Sequence, residues 1–193
     1  GRSCHDAIEH IFTAARSNEK GRVSGMDKWV LDADLRGCYD NLDHKYLLDK
    51  LETTPQFRKQ VSAWLKAGIF EGYLTTKEYE SISPNQKGTP QGGIISPLLA
   101  NIALDGLEMH LKNWTEKLPD SSRRDYHPER RRSQILYVRY ADDFVVIYQD
   151  KAGIEQAKRV IEEWFKNNSK LEIAEEKTSI RPLSKGFSFL GFR

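Results

Sequence analysis

Between Asp6 and Ala15 the apolar residues Ala7, Ile8, Ile11, Phe12 and Ala15 recur at three- and four-residue steps, which gathers them on one side of a helix. The run Trp29-Val30-Leu31-Asp32-Ala33-Asp34-Leu35 lacks that period. It is short, apolar and closed by Gly37, and it predicts a buried strand. Asp43 is placed to cap a helix from His44 to about Leu51, and Thr54-Pro55 to start another carrying Phe57, Val61, Trp64 and Leu65. The polar stretch from Glu71 to Lys87 predicts a loop or hairpin. Ser96-Pro97 then opens one long helix through Leu98, Leu99, Ile102, Leu107 and Leu111, since proline is tolerated in a first turn.

Ile135 to Tyr140 and Phe144 to Tyr148 are β-rich runs separated by Ala141-Asp142-Asp143, the pattern of a hairpin with an acidic tip. Ile154, Ala157, Val160, Ile161, Trp164 and Phe165 mark an amphipathic helix after it. Short closing strands are expected at Leu171 to Ile173, Thr178 to Ile180 and Phe187 to Leu190. Trp29, Trp64, Trp114 and Trp164 lie in apolar-periodic segments and are expected in the core. The order strand, helices, strand, strand, helix, strand is that of the split βαβ arrangement, an α+β fold.

Composition narrows the class. The 193 residues carry 30 Lys plus Arg against 28 Asp plus Glu, which suits a globular domain. A chain of this length buries roughly 70% of its unfolded surface, so its core needs no staples. Cys4 and Cys38 form no CxxC pair, and the five histidines show no ligand spacing, so neither a disulfide framework nor a zinc site is expected and a reducing compartment is. No apolar run approaches the roughly 20 residues that span a bilayer, the N-terminus has no signal-peptide order, and no membrane partner is expected. Charge is unevenly spread: Ser121 to Arg139 holds Arg123, Arg124, Arg130, Arg131, Arg132 and Arg139 against Asp125 and Glu129. That excess suits a polyanionic partner, with a solvated basic loop as the plain alternative.

The topology itself gathers acids. In a split βαβ sheet the first strand lies beside the third and antiparallel to it, so its C-terminal end shares an edge with the turn between strands two and three. Asp34 ends the first strand, and Asp142 and Asp143 form the turn. Carboxylates this close raise one another's pKa unless a cation sits among them, and oxygen-only ligands favour Mg²⁺ or Mn²⁺. The plain alternative makes Asp142-Asp143 a turn pair and Asp34 a helix cap.

Tyr140-Ala141-Asp142-Asp143, flanked by Val138-Arg139 and Phe144-Val145-Val146, resembles the catalytic box of reverse transcriptases. Gly88-Thr89-Pro90-Gln91-Gly92-Gly93-Ile94-Ile95-Ser96-Pro97-Leu98-Leu99-Ala100-Asn101-Ile102 resembles the group II intron-encoded reverse transcriptase/maturase branch. So do Asp34-Leu35-Arg36-Gly37-Cys38-Tyr39-Asp40-Asn41-Leu42-Asp43-His44, Glu176-Lys177-Thr178 and Phe187-Ser188-Phe189-Leu190-Gly191-Phe192. The resemblance covers almost every residue. It implies a right-hand polymerase palm with an antiparallel sheet, helices packed on one face, and partial fingers. Residues 1–28 and about 45–100 would be fingers and palm elements, and 29–44 with 101–193 the palm and catalytic hairpin. The chain is expected to be a fragment, without the thumb/maturase and endonuclease domains.

By this resemblance Asp34, Asp142 and Asp143 hold two Mg²⁺ ions, with Mn²⁺ able to substitute, and align a primer 3′-hydroxyl with the triphosphate. Tyr39, Leu35, Gln91 and Gly92 would bind the incoming dNTP, Tyr39 as a ring against the sugar that excludes a 2′-hydroxyl. Lys177 resembles the lysine that faces the leaving pyrophosphate. The implied reaction is RNA-directed DNA synthesis in group II intron retrohoming, with intron RNA, an RNA template and a DNA primer as partners, and a splicing role for the longer protein. A bacterial cytoplasm is the expected location, an organellar host the alternative. Three other readings share parts of the pattern: an RNA-binding maturase without polymerisation, a CRISPR- or defence-associated reverse transcriptase, and a diguanylate-type cyclase, whose Gly-Gly-acid-acid-Phe turn this chain lacks.

Overall fold

The structure, a computed structural model, describes residues 3–15, 28–67, 87–89, 94–118 and 134–192. In chain order the elements are α1 (Cys4–Ala15), β1 (Trp29–Ala33), α2 (Cys38–Asn41), α3 (His44–Lys50), α4 (Pro55–Lys66), α5 (Ser96–Leu104), α6 (Leu107–Lys117), β2 (Leu136–Tyr140), β3 (Asp143–Tyr148), α7 (Lys151–Asn167) and β4 (Ser179–Pro182). They fall into two units. One comprises Gly1–Leu35, Gly106–Trp164 and Glu172–Arg193, the other Arg36–Asp105 and Phe165–Leu171.

In the first unit four strands among the described residues form one antiparallel sheet in the order β2-β3-β1-β4, the split βαβ order. β3 is central, which explains why Phe144-Val145-Val146-Ile147-Tyr148 reads as an unbroken apolar run: both of its faces are buried. On one face Val30, Val138, Val145 and Ile147 pack with Ile11 of α1 and with Leu183 and Phe189. On the other, Tyr148 meets Trp114 of α6 with ring centroids 6.0 Å apart. Gly153 of α7 lies against that same Tyr148 ring. α6 and α7 thus share one face, and α1 is added to the opposite one. Along α7 the buried residues Ile154, Ala157, Ile161 and Trp164 keep the helical step that its sequence shows.

The second unit is helical among its described residues. Asp43 caps α3 by accepting the Tyr46 N–H at 2.8 Å, and Thr54 caps α4 through the Phe57 N–H at 3.4 Å. Asp43 also takes the Lys170 ammonium at 2.7 Å. Leu47, Val61, Leu65, Leu99 and Ala103 supply buried apolar surface. Residues 87–89 are tied back to α2 and α3. Gly88 N–H donates to Leu42 O at 2.8 Å, Thr89 N–H to Tyr39 O at 2.6 Å, and His44 Nε2 to Gly88 O at 2.6 Å. Gly88 has φ +79, and a Cβ there would stand 2.5 Å from the Asp40 carbonyl oxygen, so only glycine fits.

Several expectations change. The long helix from Ser96 is two helices, because Gly106 takes φ 90 between them. Leu107 and Leu111 keep the apolar step across that break, so periodicity alone does not show it. Lys50 Nζ donates to the carbonyls of Ala103, at 3.4 Å, and Asp105, closing the end of α5. Of the three expected closing strands only the middle one forms, as β4. Ile173 makes an isolated bridge with Leu35, and Phe189 pairs with Phe192 around Leu190 and Gly191, both at positive φ. Trp164 is buried and Trp29 and Trp114 are partly so, but Trp64 is 41% exposed and meets Phe57 edge-on at 6.0 Å. The stretch from Glu71 to Lys87 lies outside the described residues apart from Lys87 itself. No helix among the described residues is long and apolar enough to cross a membrane.

Two stability measurements follow. Gly153→Ala raises helix propensity by about 1 kcal/mol, yet its Cβ would lie 2.1 Å from Tyr148 Cε1. The variant is therefore expected to lose roughly 1–3 kcal/mol in urea unfolding, and a gain would show that the ring moves aside freely. Asp43→Ala should cost about 1 kcal/mol for the lost cap plus less than about 1 for the ion pair, whereas Asp43→Asn should lose the ion pair alone. The hydrogen bond from Lys170 holds the Asp43 carboxyl below its ordinary 3.8. A depressed carboxyl stabilises above its unfolded value and loses that contribution as pH falls through the folded one. The Asp43→Asn deficit is thus expected at neutral pH, should begin to fade below about pH 4 and is lost once pH falls through the lowered folded-state value.

Candidate active site

The pairing of β1 with β3 sets Ala33 opposite Phe144, and the same register carried one residue further sets Asp34 opposite Asp143. The pairing of β1 with β4 ends with Asp32 opposite Ser179, and the 3-10 turn Glu175–Lys177 just before β4 brings Lys177 to Asp34. The side chains meet accordingly: Lys177 Nζ lies 2.8 Å from Asp34 Oδ2. Asp34 Oδ1 accepts the Leu35 N–H at 2.8 Å. The Asp34 carbonyl accepts the Ala174 N–H at 2.9 Å, which fixes the backbone between the strand and Leu35.

Tyr140 pairs with Asp143, leaving Ala141 and Asp142 as a two-residue hairpin turn. Ala141 has φ 56, a positive value that glycine ordinarily supplies in a two-residue hairpin turn. An L-residue in the left-handed region costs roughly 1–2 kcal/mol. Arg139 offsets part of this, its Nη1 donating to the Ala141 carbonyl at 2.9 Å.

The acids act on one another. Burial raises the Asp143 carboxyl, and the Asp142, Asp34 and Asp32 carboxylates push it further the same way, with Lys177 opposing. Asp32 is raised mainly by burial; Arg181 lowers it and Asp34 raises it. Lys177 is raised by its hydrogen bond to Asp34 and remains cationic at neutral pH. Among the described residues no three His, Cys, Asp or Glu side chains stand close enough to hold a metal ion as they are. The donor set nevertheless fits a hard divalent cation. It is all oxygen, its members repel one another, and it has already drawn an ammonium onto Asp34.

The structure brings together Asp34, Asp142, Asp143 and Lys177 of the expected residues. Leu35 is 3% exposed and its backbone bridges Ile173. Tyr39 belongs to the second unit, half-buried on α2. Gln91 and Gly92 lie outside the described residues, as does the arginine-rich loop through Arg132. Two participants were not singled out from the sequence. Asp32 was within reach of it, since residues two apart on a strand share a face and Asp34 was already chosen. Arg139 was not, because no sequence period says where a guanidinium at a strand end will reach.

Comparison with known proteins places this geometry. A family model for reverse transcriptase (RNA-dependent DNA polymerase) matches residues 1–193. Group II intron-encoded protein LtrA of Lactococcus lactis subsp. cremoris is 30% identical over an alignment that covers 99% of this chain and 37% of LtrA. Protein YkfC of Escherichia coli (strain K12) is 29% identical over 100% of this chain and 52% of its own length. The chain thus spans between about a third and a half of these relatives. In fold, the telomerase of Candida albicans, solved in complex with a TWJ fragment of telomeric RNA, matches 98% of this chain and 32% of its own at a TM-score of 0.68 and 14% identity. A palm-like antiparallel sheet with acids at the end of its first strand and at its hairpin turn, matched along its whole length by the family model, means that the chain belongs to the reverse transcriptase family.

Proposed function

We propose that this chain carries the polymerising centre of an RNA-directed DNA polymerase, which joins a dNTP to a primer 3′-hydroxyl opposite an RNA template. The observation that supports it best is the register of β1 against β3, which carries Asp34 opposite Asp143 with Asp142 in the adjoining turn, and the Lys177 ammonium 2.8 Å from Asp34. Asp34, Asp142 and Asp143 would hold two Mg²⁺ ions, or Mn²⁺ in their place. When bound, such ions stabilise the charge that develops on the attacking and leaving oxygens of phosphoryl transfer. Lys177 stays protonated beside Asp34 and can offer its ammonium to the leaving pyrophosphate. Tyr39 would set its ring against the incoming sugar, with Leu35, Gln91 and Gly92 completing the nucleotide contacts.

The matched relatives support a wider setting. Likeness to a group II intron-encoded protein favours intron RNA as a further partner, retrohoming as the process and a splicing role for the longer protein, in a bacterial cytoplasm. The palm with its catalytic hairpin would comprise 29–44 and 101–193, and 1–28 with about 45–100 would be fingers and palm elements.

Asp142→Asn keeps the size of the side chain and removes its charge. Since residues that merely support a metal ligand are worth 10–100-fold, primer extension on an RNA template should fall by more than about 100-fold with the circular dichroism spectrum unchanged. Undiminished extension would sink the assignment.

Tyr39→Ala tests sugar choice. Overpacking of the kind a 2′-hydroxyl would meet costs roughly 1–3 kcal/mol, so preference for deoxy over ribo substrates should relax by about 5- to 150-fold in single-turnover assays. Tyr39→Phe should behave as wild type, because the ring and not its hydroxyl does the excluding. A folded Tyr39→Ala protein with unchanged discrimination would move the gate elsewhere.

A further inference from the structure

We infer that Arg139 is a positioning residue for Asp142 and Asp143, acting through the carbonyl of Ala141. The inference rests on the metal-binding reading proposed above and names the device that would hold two of its three carboxylates in place. Ala141 stands in a two-residue hairpin turn at φ 56, a conformation that glycine takes freely and alanine does not choose by itself. Something must compensate. Arg139 Nη1 donates to Ala141 O at 2.9 Å, a charge-assisted bond across two residues that closes over the turn. Arg139 pairs with Phe144 and Tyr140 with Asp143, so Arg139 leaves the sheet on the face opposite Asp143. Its effect on the acids therefore passes through the backbone of the turn. A glycine would hold this φ unaided; an alanine holds it with the arginine brace, and Asp142 and Asp143 are fixed with the turn.

The brace predicts a specific rescue. Mn²⁺ binding to the purified protein without nucleotide can be followed from the electron paramagnetic resonance signal of the free ion. Arg139→Met should weaken Mn²⁺ binding by about 10-fold, at the lower end of the range for residues that support metal ligands. Adding Ala141→Gly to Arg139→Met should restore affinity to within about 3-fold of wild type, because glycine takes a positive φ without help. A packing role for Arg139 gives no such recovery. Should Arg139→Met alone fail to fold, the same rescue is read as regained structure by circular dichroism, and a double variant that stays unfolded overturns the inference. So does a folded Arg139→Met protein with undiminished affinity, or a double variant no better than the single one. Asp142→Asn separates the two levels. If it leaves Mn²⁺ binding intact, the metal reading falls and the inference with it. If it abolishes tight binding while Arg139→Met does not weaken it, the inference alone falls.

Discussion

The register of β1 against β3 is the constraint on which the candidate site depends. Because side chains alternate across a sheet, a slip of one residue would turn every buried group of one strand to the other face. The site acids lie at the ends of these strands and cannot resist such a slip; their mutual repulsion would encourage it. What holds them is apolar and lies further along. Val30 faces Ile147 on one side of the sheet and Leu31 faces Val146 on the other, all of them fully or almost fully buried. Each such side chain contributes about 1.5–3 kcal/mol on burial, so mispairing would forfeit several of these at once. The chemistry at the edge is thus held in place by residues that take no part in it.

That division explains what the sequence revealed and what it withheld. Strand order, the N-caps at Asp43 and Thr54, and the acidic hairpin tip were all legible, because each follows from a local pattern or from a connection rule. The helix break at Gly106 was hidden, since the apolar step continues through Leu107 and Leu111 and the deciding variable is one backbone angle. The expected strands at 171–173 and 187–190 have the right composition but find only single bridges to partners, and pairing is a property of the neighbour as much as of the segment. Trp64 shows the same lesson for burial. Its spacing allows a core position, yet Val61 and Leu65 occupy the inner face of α4. At the site, the approach of Asp34 to Asp143 follows from topology, whereas the approach of Lys177 to Asp34 depends on the turn before β4, which no motif states.

The two units also differ in how they settle charge. In the second, Asp43 is spent on structure: one oxygen caps α3, the other takes Lys170, and the group is left satisfied. In the first, Asp32, Asp34, Asp142 and Asp143 act on one another, with Lys177 and Arg181 as the named opposing charges. A fold selected for stability alone would balance that edge or replace an acid with an amide, since burial and repulsion both raise Asp143 and neither helps the chain fold. Mutually repelling acids at a strained turn are unfavourable for the isolated protein and suit the cation-binding role proposed above. Stability is supplied by the apolar strand pairs, so the edge is free to carry those acids.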